Sequence, residues 1–174
     1  MMKIKKQKDP WKHFVVDDFL PQSVFNSVQA EMYSLAADLE FSAKGRKQFW
    51  FDENSSMTHT LFSYVEKIIS EIRLKYDLED HKQQCELSIC RPGYDYDRIH
   101  TDTPEKIFTT VLYLSNKGSG TDLYFTESKE SYVKTVEWKP NRAICFSRAE
   151  HTWHNFHALD CTEDRYTVNL VLKK

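Results

Sequence analysis

The sequence predicts a mainly β protein with packed helices: a double-stranded β-helix (jelly-roll) core with two N-terminal helices on one sheet. Apolar residues recur at helical spacing twice in the first half of the chain. From residue 84 onward the pattern changes to short β-rich segments, and turn formers such as Pro92-Gly93, Gly118-Ser-Gly120 and Pro140-Asn141 separate them. Short strands behind two helices are typical of a double-sheet jelly roll.

The chain of 174 residues is long enough for one sizeable core, and its 40% hydrophobic and 14% aromatic content predicts a folded protein. The sequence shows no internal repeat, low-complexity tract or linker. We therefore expect a single domain over 1–174. Within it, 1–83 supplies a strand and helical support, and 84–174 forms the jelly-roll core that carries the site.

The formal net charge of -2 gives no reason to expect a strong nucleic-acid surface. The four cysteines form no C-x-x-C pair, so we interpret them as reduced structural thiols in a reducing compartment. No apolar h-region follows the basic start, and no apolar run approaches the roughly 20 residues that span a bilayer. These observations predict a soluble, cytoplasmic protein with no membrane association.

The first 83 residues are predicted to contain one strand and two helices. After a basic, solvated tail at Met1–Lys8, a short strand is expected at Phe14–Leu20. Pro21 opens the first helix, since proline favours the first turn, and the second helix runs from about Thr58 to Tyr76. Their apolar stripes indicate core packing and consist of Val24, Val28, Met32, Leu35 and Leu39 and of Leu61, Val65, Ile68, Ile72 and Tyr76.

Residues 41–57 are predicted to be an irregular loop, because they contain Gly45, Asn54 and two serines. The segment also contains Phe49-Trp-Phe51. Three aromatic residues in a polar loop predict either a satellite of the core or one wall of a substrate pocket, and we favour the core.

Eight strands are predicted in the second half, at 84–91, 97–102, 106–115, 122–126, 131–138, 142–147, 151–157 and 165–172. The last of them alternates clearly. We expect its apolar face to meet the helices and its polar face to look into the barrel. The apolar face consists of Tyr166, Val168, Leu170 and Leu172, and the polar face of Arg165, Thr167 and Asn169.

His100 and Asp102 are two residues apart, so on an extended backbone both side chains point to the same face. A histidine nitrogen and a carboxylate oxygen can then bind one cation, and the segment His151-Thr-Trp-His-Asn-Phe-His157 offers a third ligand. Two histidines and one carboxylate form a facial triad. Such a triad leaves positions on the metal open and suits non-heme Fe(II) and O2 chemistry.

Further motifs follow the H-x-D pair in order: a strand ending Tyr113-Leu114, a Gly-Thr turn, Trp153-His154-Asn155 and Arg165-x-Thr167. The ordered set resembles the Fe(II)- and 2-oxoglutarate-dependent dioxygenases, and more narrowly their prolyl-4-hydroxylase-like branch. The resemblance is close over residues 84–172. It implies that the catalytic metal ligands are His100, Asp102 and His154.

The distal histidine needs a choice, because His151 and His157 compete with His154. The family places its histidine just after an aromatic residue, as in Trp153-His154, and the spacing to Arg165 is also close to the family's. The resemblance therefore favours His154. The other two histidines are interpreted as surface or supporting residues.

The resemblance also implies that Arg165 binds the distal carboxylate of 2-oxoglutarate, since a planar guanidinium matches a carboxylate. Thr167 lies on the same strand face and is similar to the family's Arg-x-Ser pattern. Tyr113 matches a position that donates its hydroxyl to the same carboxylate in related hydroxylases. The alternative for Tyr113 is an ordinary core aromatic.

One departure from the family concerns the residue before Pro92-Gly93, which is often a tyrosine in contact with the cosubstrate. This chain has Arg91 there. Arg91 is a candidate for binding the cosubstrate or an acidic group of the substrate, and the alternative is a solvent-exposed side chain. Tyr94 and Tyr96 are candidates for lining the mouth of the site.

The reaction that the resemblance implies is hydroxylation of a substrate C–H bond with Fe(II), 2-oxoglutarate and O2, releasing succinate and CO2, with ascorbate as an expected reductant. The prime substrate is a peptide, a protein or an amino acid, and a prolyl residue is one candidate. Loops at 41–57, 92–99 and 116–121 are expected to select it. Two alternatives stay open: a cupin-type metal enzyme that does not use 2-oxoglutarate, and a non-catalytic jelly-roll binding domain. Nucleic-acid demethylation would need a positive groove that the composition does not indicate.

Overall fold

A computed structural model describes residues 2–76, 78, 80–159 and 161–174, without the side chains of residues 95–97. The elements, in chain order, are β1 (Lys3–Gln7), β2 (His13–Asp17), α1 (Gln22–Ala37), β3 (Arg46–Phe51), α2 (Ser56–Glu71), β4 (Lys82–Cys90), β5 (Asp95–His100), β6 (Lys106–Tyr113), β7 (Thr121–Tyr124), β8 (Tyr132–Val136), β9 (Ala143–Ser147), β10 (His154–His157) and β11 (Arg165–Lys173).

The strands form two antiparallel sheets. The larger has the order β1-β2-β9-β6-β11-β4-β3, and the smaller has the order β5-β10-β7-β8. β11 lies inside the larger sheet and pairs along its length with β4 and β6. All eight strands predicted for the second half are present, although the one expected at 151–157 begins only at His154.

Both predicted helices are present, and each has a local reason for its ends. α1 begins directly after Pro21, as expected. α2 begins after Ser55, whose hydroxyl accepts a hydrogen bond from the Thr58 amide and so caps the helix. It ends at Glu71, before the predicted Tyr76, because Arg73 adopts a left-handed conformation with φ 55°. The Leu74 amide then donates to the Ile69 carbonyl over 3.0 Å, which closes a Schellman motif.

One cluster of buried side chains joins both helices to one face of the larger sheet. From β11 it takes Val168, Leu170 and Leu172, with Tyr166 packed against it, as the alternation predicts. Fully burying one such aliphatic side chain contributes about 1.5–3 kcal/mol to folding. The polar face of β11 points the other way, toward the smaller sheet, where it can take part in chemistry.

The first residues form a strand, so the prediction of a solvated tail was wrong. β1 pairs with β2 at the edge of the larger sheet, with Lys5 opposite Val15. Ile4 packs against the main core, and the Lys5 ammonium lies 3.3 Å from the Asp17 carboxylate. A basic composition hid this strand, because edge strands commonly carry lysines.

The segment predicted as an irregular loop contains β3, which pairs with β4 at the opposite edge of the larger sheet. Phe49 and Phe51 pack against the main core, as favoured above. Trp50 points to the other face, is 51% exposed and lines the interior cavity. Strand alternation therefore divides the three aromatics between the two roles that were considered.

The space between the sheets is filled at one end by a second apolar cluster that includes Trp11, Tyr113, Leu123, Ile144 and Phe146. The rest of this space is a cavity. The four cysteines are free thiols, as expected. Neither α1 nor α2, the helices of the described residues, combines the length and apolar character that a membrane crossing requires.

Candidate active site

The cavity between the sheets has a volume of about 340 Å³. Alternate residues of β3, β4, β6 and β11 form one wall, and residues of β5, β7 and β10 form the other. Most of its lining side chains are polar or charged. A polar cavity inside a β protein is costly to build, so its side chains are candidates for function.

Three candidate metal ligands converge in this cavity. His100 ends β5 and His154 begins β10, and the two residues pair directly across the antiparallel ladder, with ring centres 4.4 Å apart. Asp102 follows two residues after His100. Ligand atoms of the three side chains all lie within 4.8 Å of one another. His151, the competing histidine, is exposed and lies outside this cluster.

Both histidine rings are held by backbone carbonyls two residues earlier. His100 Nδ1 is 3.1 Å from the Arg98 oxygen, and His154 Nδ1 is 2.9 Å from the Thr152 oxygen. Because a carbonyl oxygen only accepts hydrogen bonds, each Nδ1 carries the proton. The lone pair that a metal needs is therefore on Nε2 in both rings.

The protonation of the two rings also suits a metal. Burial, followed by the charge of the neighbouring His154, lowers the pKa of His100 to about 4. Burial lowers the pKa of His154 as well, against the opposite effect of Asp102. Both imidazoles are therefore neutral near pH 7, which is the form that binds metal ions.

The Asp102 carboxylate is held by two side chains from β6. Thr109 Oγ1 donates to one oxygen and Lys106 Nζ to the other, each over 2.6 Å. Burial alone raises the pKa of Asp102, but the charges of His154 and Lys106 and these two hydrogen bonds outweigh it, so the pKa is below its usual value. Asp102 is therefore an ionised ligand in a fixed orientation.

Trp11 supports the histidine cluster from outside it. The indole edge lies against the His154 ring at a centroid distance of 6.4 Å, and the indole N–H donates to the Trp153 carbonyl over 3.2 Å. Phe146 packs against the same imidazole at 5.0 Å. The sequence does not predict this role of Trp11, because no motif links a residue between β1 and β2 to a histidine on β10.

Arg165 is buried at the other end of the cavity, with only 2% exposure. Its Nε donates to the Ser119 carbonyl over 2.9 Å, and its guanidinium lies over the Phe156 ring at 4.2 Å. Among the described residues, no carboxylate lies within ion-pairing distance of it. A buried charge without a counter-charge is expensive, so this guanidinium is a candidate binding group for an anion.

Thr167 and Tyr113, the two hydroxyls predicted near Arg165, occupy different layers. Thr167 lines the cavity, and its hydroxyl is 3.5 Å from the Ser88 carbonyl. Tyr113 lies behind the lining and donates to Thr121 Oγ1 over 2.8 Å. Thr121, which no sequence motif indicates, lies between Tyr113 and the cavity.

The structure does not bring Arg91 into the cavity. Its exposed guanidinium lies 3.9 Å from the centre of the Phe41 ring. Arg46 of β3 lines the cavity instead, and donates to Glu86 Oε1 over 2.9 Å and to Ser88 Oγ over 3.0 Å. Residues 46, 48 and 50 alternate along β3 and all line the cavity, so alternation could have predicted this role of Arg46. The segment was instead predicted to be an irregular loop.

The tyrosines predicted at the mouth are only partly described. Tyr94 stacks on Phe156 with the ring centres 6.0 Å apart, and Phe156 is the ring over which the Arg165 guanidinium lies. Tyr96 pairs with Phe156 across β5 and β10, but its side chain lies outside the described residues. His157 lies on the far side of β10, 3.3 Å from the Asp122 carboxylate.

The donor set fits a divalent iron ion by its chemistry. Two neutral imidazoles and one carboxylate on one side of a cation leave the remaining positions for small ligands, which is the arrangement of non-heme Fe(II) oxygenases. The fully buried Arg165 at the far end of the same cavity fits the carboxylate of a second ligand.

Comparisons with known proteins agree with this geometry. The family model of the 2OG-Fe(II) oxygenase superfamily matches residues 85–173, about half of the chain. The search of curated proteins found no match.

Solved structures share the fold at low sequence identity. A Pseudomonas putida prolyl-4-hydroxylase aligns with a TM-score of 0.68 and 16% identity, over 93% of this chain and 92% of that chain. A viral collagen prolyl hydroxylase from Paramecium Bursaria Chlorella virus-1, solved as a 2OG complex, aligns with a TM-score of 0.65 and 14% identity, over 92% of this chain and 94% of that chain.

Proposed function

Because the chain belongs to the 2OG-Fe(II) oxygenase superfamily, we propose that it hydroxylates a C–H bond of its substrate and converts 2-oxoglutarate and O2 to succinate and CO2. His100, Asp102 and His154 hold Fe(II) in this proposal. Arg165 binds the distal carboxylate of 2-oxoglutarate.

The single observation that carries the proposal is the pairing of two features in one cavity. One is the cluster of two imidazoles and a carboxylate. The other is the buried Arg165, which has no carboxylate partner among the described residues. A dicarboxylate of the right length supplies a chelating end to the cluster and an anion to the guanidinium. A cupin-type metal site gives this arginine no role.

Bound iron would activate O2, the oxidant for C–H hydroxylation, which amino-acid side chains cannot do. The protein's contribution is orientation and exclusion of water. The Arg98 and Thr152 carbonyls orient the two imidazoles, and Lys106 and Thr109 orient the Asp102 carboxylate. The Phe156 ring covers the Arg165 guanidinium and keeps water away from it.

Two hydroxyl residues complete the cosubstrate end in this proposal. Thr167 lines the cavity two residues after Arg165, on the same face of β11, where it is placed to contact the bound carboxylate. Tyr113 acts behind it, because its hydroxyl donates to Thr121, a lining residue. Arg91 takes no part, since its guanidinium packs on Phe41 outside the cavity.

The two antiparallel sheets and the shared fold with prolyl hydroxylases support assignment of the core to a double-stranded β-helix. The same likeness favours a prolyl residue in a protein or peptide as the prime substrate. Trp50 is the described aromatic side chain best placed for a pyrrolidine ring, because it lines the cavity and is half exposed.

The test is succinate formation from 2-oxoglutarate with Fe(II), O2 and proline-containing peptides, followed by mass spectrometry. We expect succinate and a peptide heavier by one oxygen in equal amounts, and neither with Asp102→Ala. A product that forms without 2-oxoglutarate would favour the cupin-type enzyme. Iron and 2-oxoglutarate binding without succinate, for peptides and free amino acids alike, would favour a binding domain.

A further inference from the structure

Three lysines lie side by side across the larger sheet, at the end of the cavity away from Arg165. On β11, Lys173 is opposite Lys82 of β4 on one side and Lys106 of β6 on the other. We call this set the lysine row (Lys82, Lys106 and Lys173). Like charges directly opposite each other on neighbouring strands are destabilising, so the arrangement needs a reason.

The lysine row belongs to the cavity and not to the helix side of the sheet. Lys173 follows Arg165 and Thr167 on the polar face of β11, and both Lys106 and Lys173 line the cavity. Lys82 is on the same face, because it pairs directly with Lys173.

The described residues neutralise one member of this row and leave the other two without a counter-charge. Lys106 donates to Asp102, but no described carboxylate lies within ion-pairing distance of Lys82 or Lys173. Hydrogen bonds with its own backbone and with Thr103 are the main reasons why the pKa of Glu105 is lowered, and the charge of Lys173 contributes less. The Glu105 carboxylate is fully exposed, so water screens its interaction with Lys173. The lysine row therefore forms a positive surface at this end of the cavity.

We propose that the lysine row binds a carboxylate side chain of a peptide substrate, so that the enzyme selects acidic sequences. The inference rests on the proposed function, since it names the substrate of that site. A peptide is favoured over a small acid because the row spans three strands, or about 10 Å at the usual strand spacing. That width matches a stretch of extended chain, and Trp50 adds an exposed aromatic surface on the same wall.

The row also limits where the acidic residue stands in the substrate. Lys106 Nζ is 2.6 Å from Asp102, so the row begins beside the proposed iron site. A residue of extended peptide covers about 3.3 Å, which places the acidic residue within about two to three residues of the hydroxylated one. An acidic residue at a greater distance gives no advantage.

The test compares peptides that differ only at one position, which carries Glu, Gln or Lys, bound to protein loaded with Mn(II) and 2-oxoglutarate. Anisotropy of a labelled peptide gives the Kd. At low salt we expect the Glu peptide to bind roughly three- to tenfold more tightly than the Gln peptide, as for a few partly exposed ion pairs. The preference falls at about 0.5 M salt, where screening is strong.

Variants test whether the lysine row causes the preference for an acidic peptide. Lys173→Gln removes most of it and Lys173→Glu reverses it, whereas the matched control Lys67→Glu on α2 keeps it, since α2 packs on the opposite face of the sheet. Equal Kd values for the Glu and Lys peptides would overturn the proposal, as would a preference that survives Lys173→Glu. Tighter binding of a single-stranded oligonucleotide than of the Glu peptide, or no peptide binding at all, would overturn it too.

The same samples distinguish the proposed reaction from the proposed acidic-peptide site. Succinate formation without any acidic preference would overturn the proposal for the lysine row and leave the proposed reaction intact. An acidic preference without succinate for any peptide would leave the row as a binding site and defeat the proposed reaction.

Discussion

The Arg165 guanidinium lies 4.2 Å from the centre of the Phe156 ring and is covered by it. A cation over an aromatic face gains about 0.5–2 kcal/mol, which offsets only part of the cost of burying the charge. The guanidinium is therefore oriented before the cosubstrate binds, but its charge is only partly compensated. We propose that the distal carboxylate of 2-oxoglutarate supplies the missing negative charge.

Replacing this arginine should weaken cosubstrate binding and spare the fold. For Arg165→Met we expect the KM for 2-oxoglutarate to rise about 100-fold or more, since each hydrogen bond to a charged group contributes roughly 1.5–3 kcal/mol. The melting temperature without ligand should stay the same or rise, because the substitution removes a buried charge that has no carboxylate counter-charge among the described residues.

The matched control is Arg91→Met, since Arg91 also lies over an aromatic ring but outside the cavity. It should leave the KM within about twofold, as surface substitutions usually do. An unchanged KM in Arg165→Met, or a large rise in Arg91→Met, would show that the carboxylate binds elsewhere.

Asp17 predicts a dependence of stability on pH. Arg142 Nε donates to its carboxylate over 2.6 Å, and this hydrogen bond, against the opposing effect of burial, makes the pKa of Asp17 lower than usual. A group with a lowered pKa in the folded state stabilises the protein above its unfolded pKa, near 4, and loses that contribution as the pH falls through the folded pKa.

We expect Asp17→Asn to lose about 1.5–3 kcal/mol in the free energy of unfolding at pH 7, as the loss of a hydrogen bond to a charged group does. The difference should shrink as the pH falls through the folded-state pKa of Asp17, which is below its usual value. Lys5 and Lys139 are 60% and 48% exposed, so they add little to it. Urea unfolding at several pH values measures this. Asp18→Asn is the control, since Asn also tolerates its positive φ of 54°. A loss that is independent of pH would contradict the ion-pair explanation.

Gly120 lies in a tightly packed turn next to the residue that holds Arg165 at the cosubstrate end of the cavity. A Cβ there would overlap the backbone carbonyl of Val136, and the preceding residue, Ser119, gives its carbonyl to Arg165. We expect Gly120→Ala to cost about 1–3 kcal/mol, as overpacking does. Because the turn must shift, it should also raise the KM for 2-oxoglutarate.

Ser119→Ala is the control for this turn. It removes a buried hydroxyl that has no partner among the described residues, but it keeps the carbonyl that Arg165 uses. Thermal unfolding and 2-oxoglutarate kinetics should be close to wild type. A Ser119→Ala variant as damaged as Gly120→Ala would locate the effect in the side chain and not in the backbone of the turn.

The predictions from sequence succeeded where the signal was local. Alternation along residues 165–172 predicted which face of β11 packs on the helices, and Pro21 predicted the start of α1. The spacing of His100 and Asp102 predicted that they approach each other, and they do, although β5 ends at His100 and Asp102 follows the strand that was expected to contain it. The pairing of His154 with His100 required a resemblance as well as a pattern.

The wrong or missing predictions concern the edge strands of the larger sheet and contacts between residues that are far apart in sequence. β1 is basic and β3 mixes charges with aromatics, and neither resembles a central strand, because an edge strand is half solvated. Trp11 reaches His154 across the fold, and Arg46 enters the cavity only through the pairing of β3 with β4. Such contacts depend on tertiary register, which composition and periodicity do not contain.

The decisive measurement is anaerobic titration of the Fe(II)-loaded protein with 2-oxoglutarate, followed by visible absorption. We expect a weak charge-transfer band in wild type and in His151→Ala, and none in His154→Ala. Arg165→Met should reach the same band only at about 100-fold higher 2-oxoglutarate. A band that persists in His154→Ala would show that His154 is not an iron ligand, and iron that binds in wild type without any band would show that 2-oxoglutarate does not chelate it.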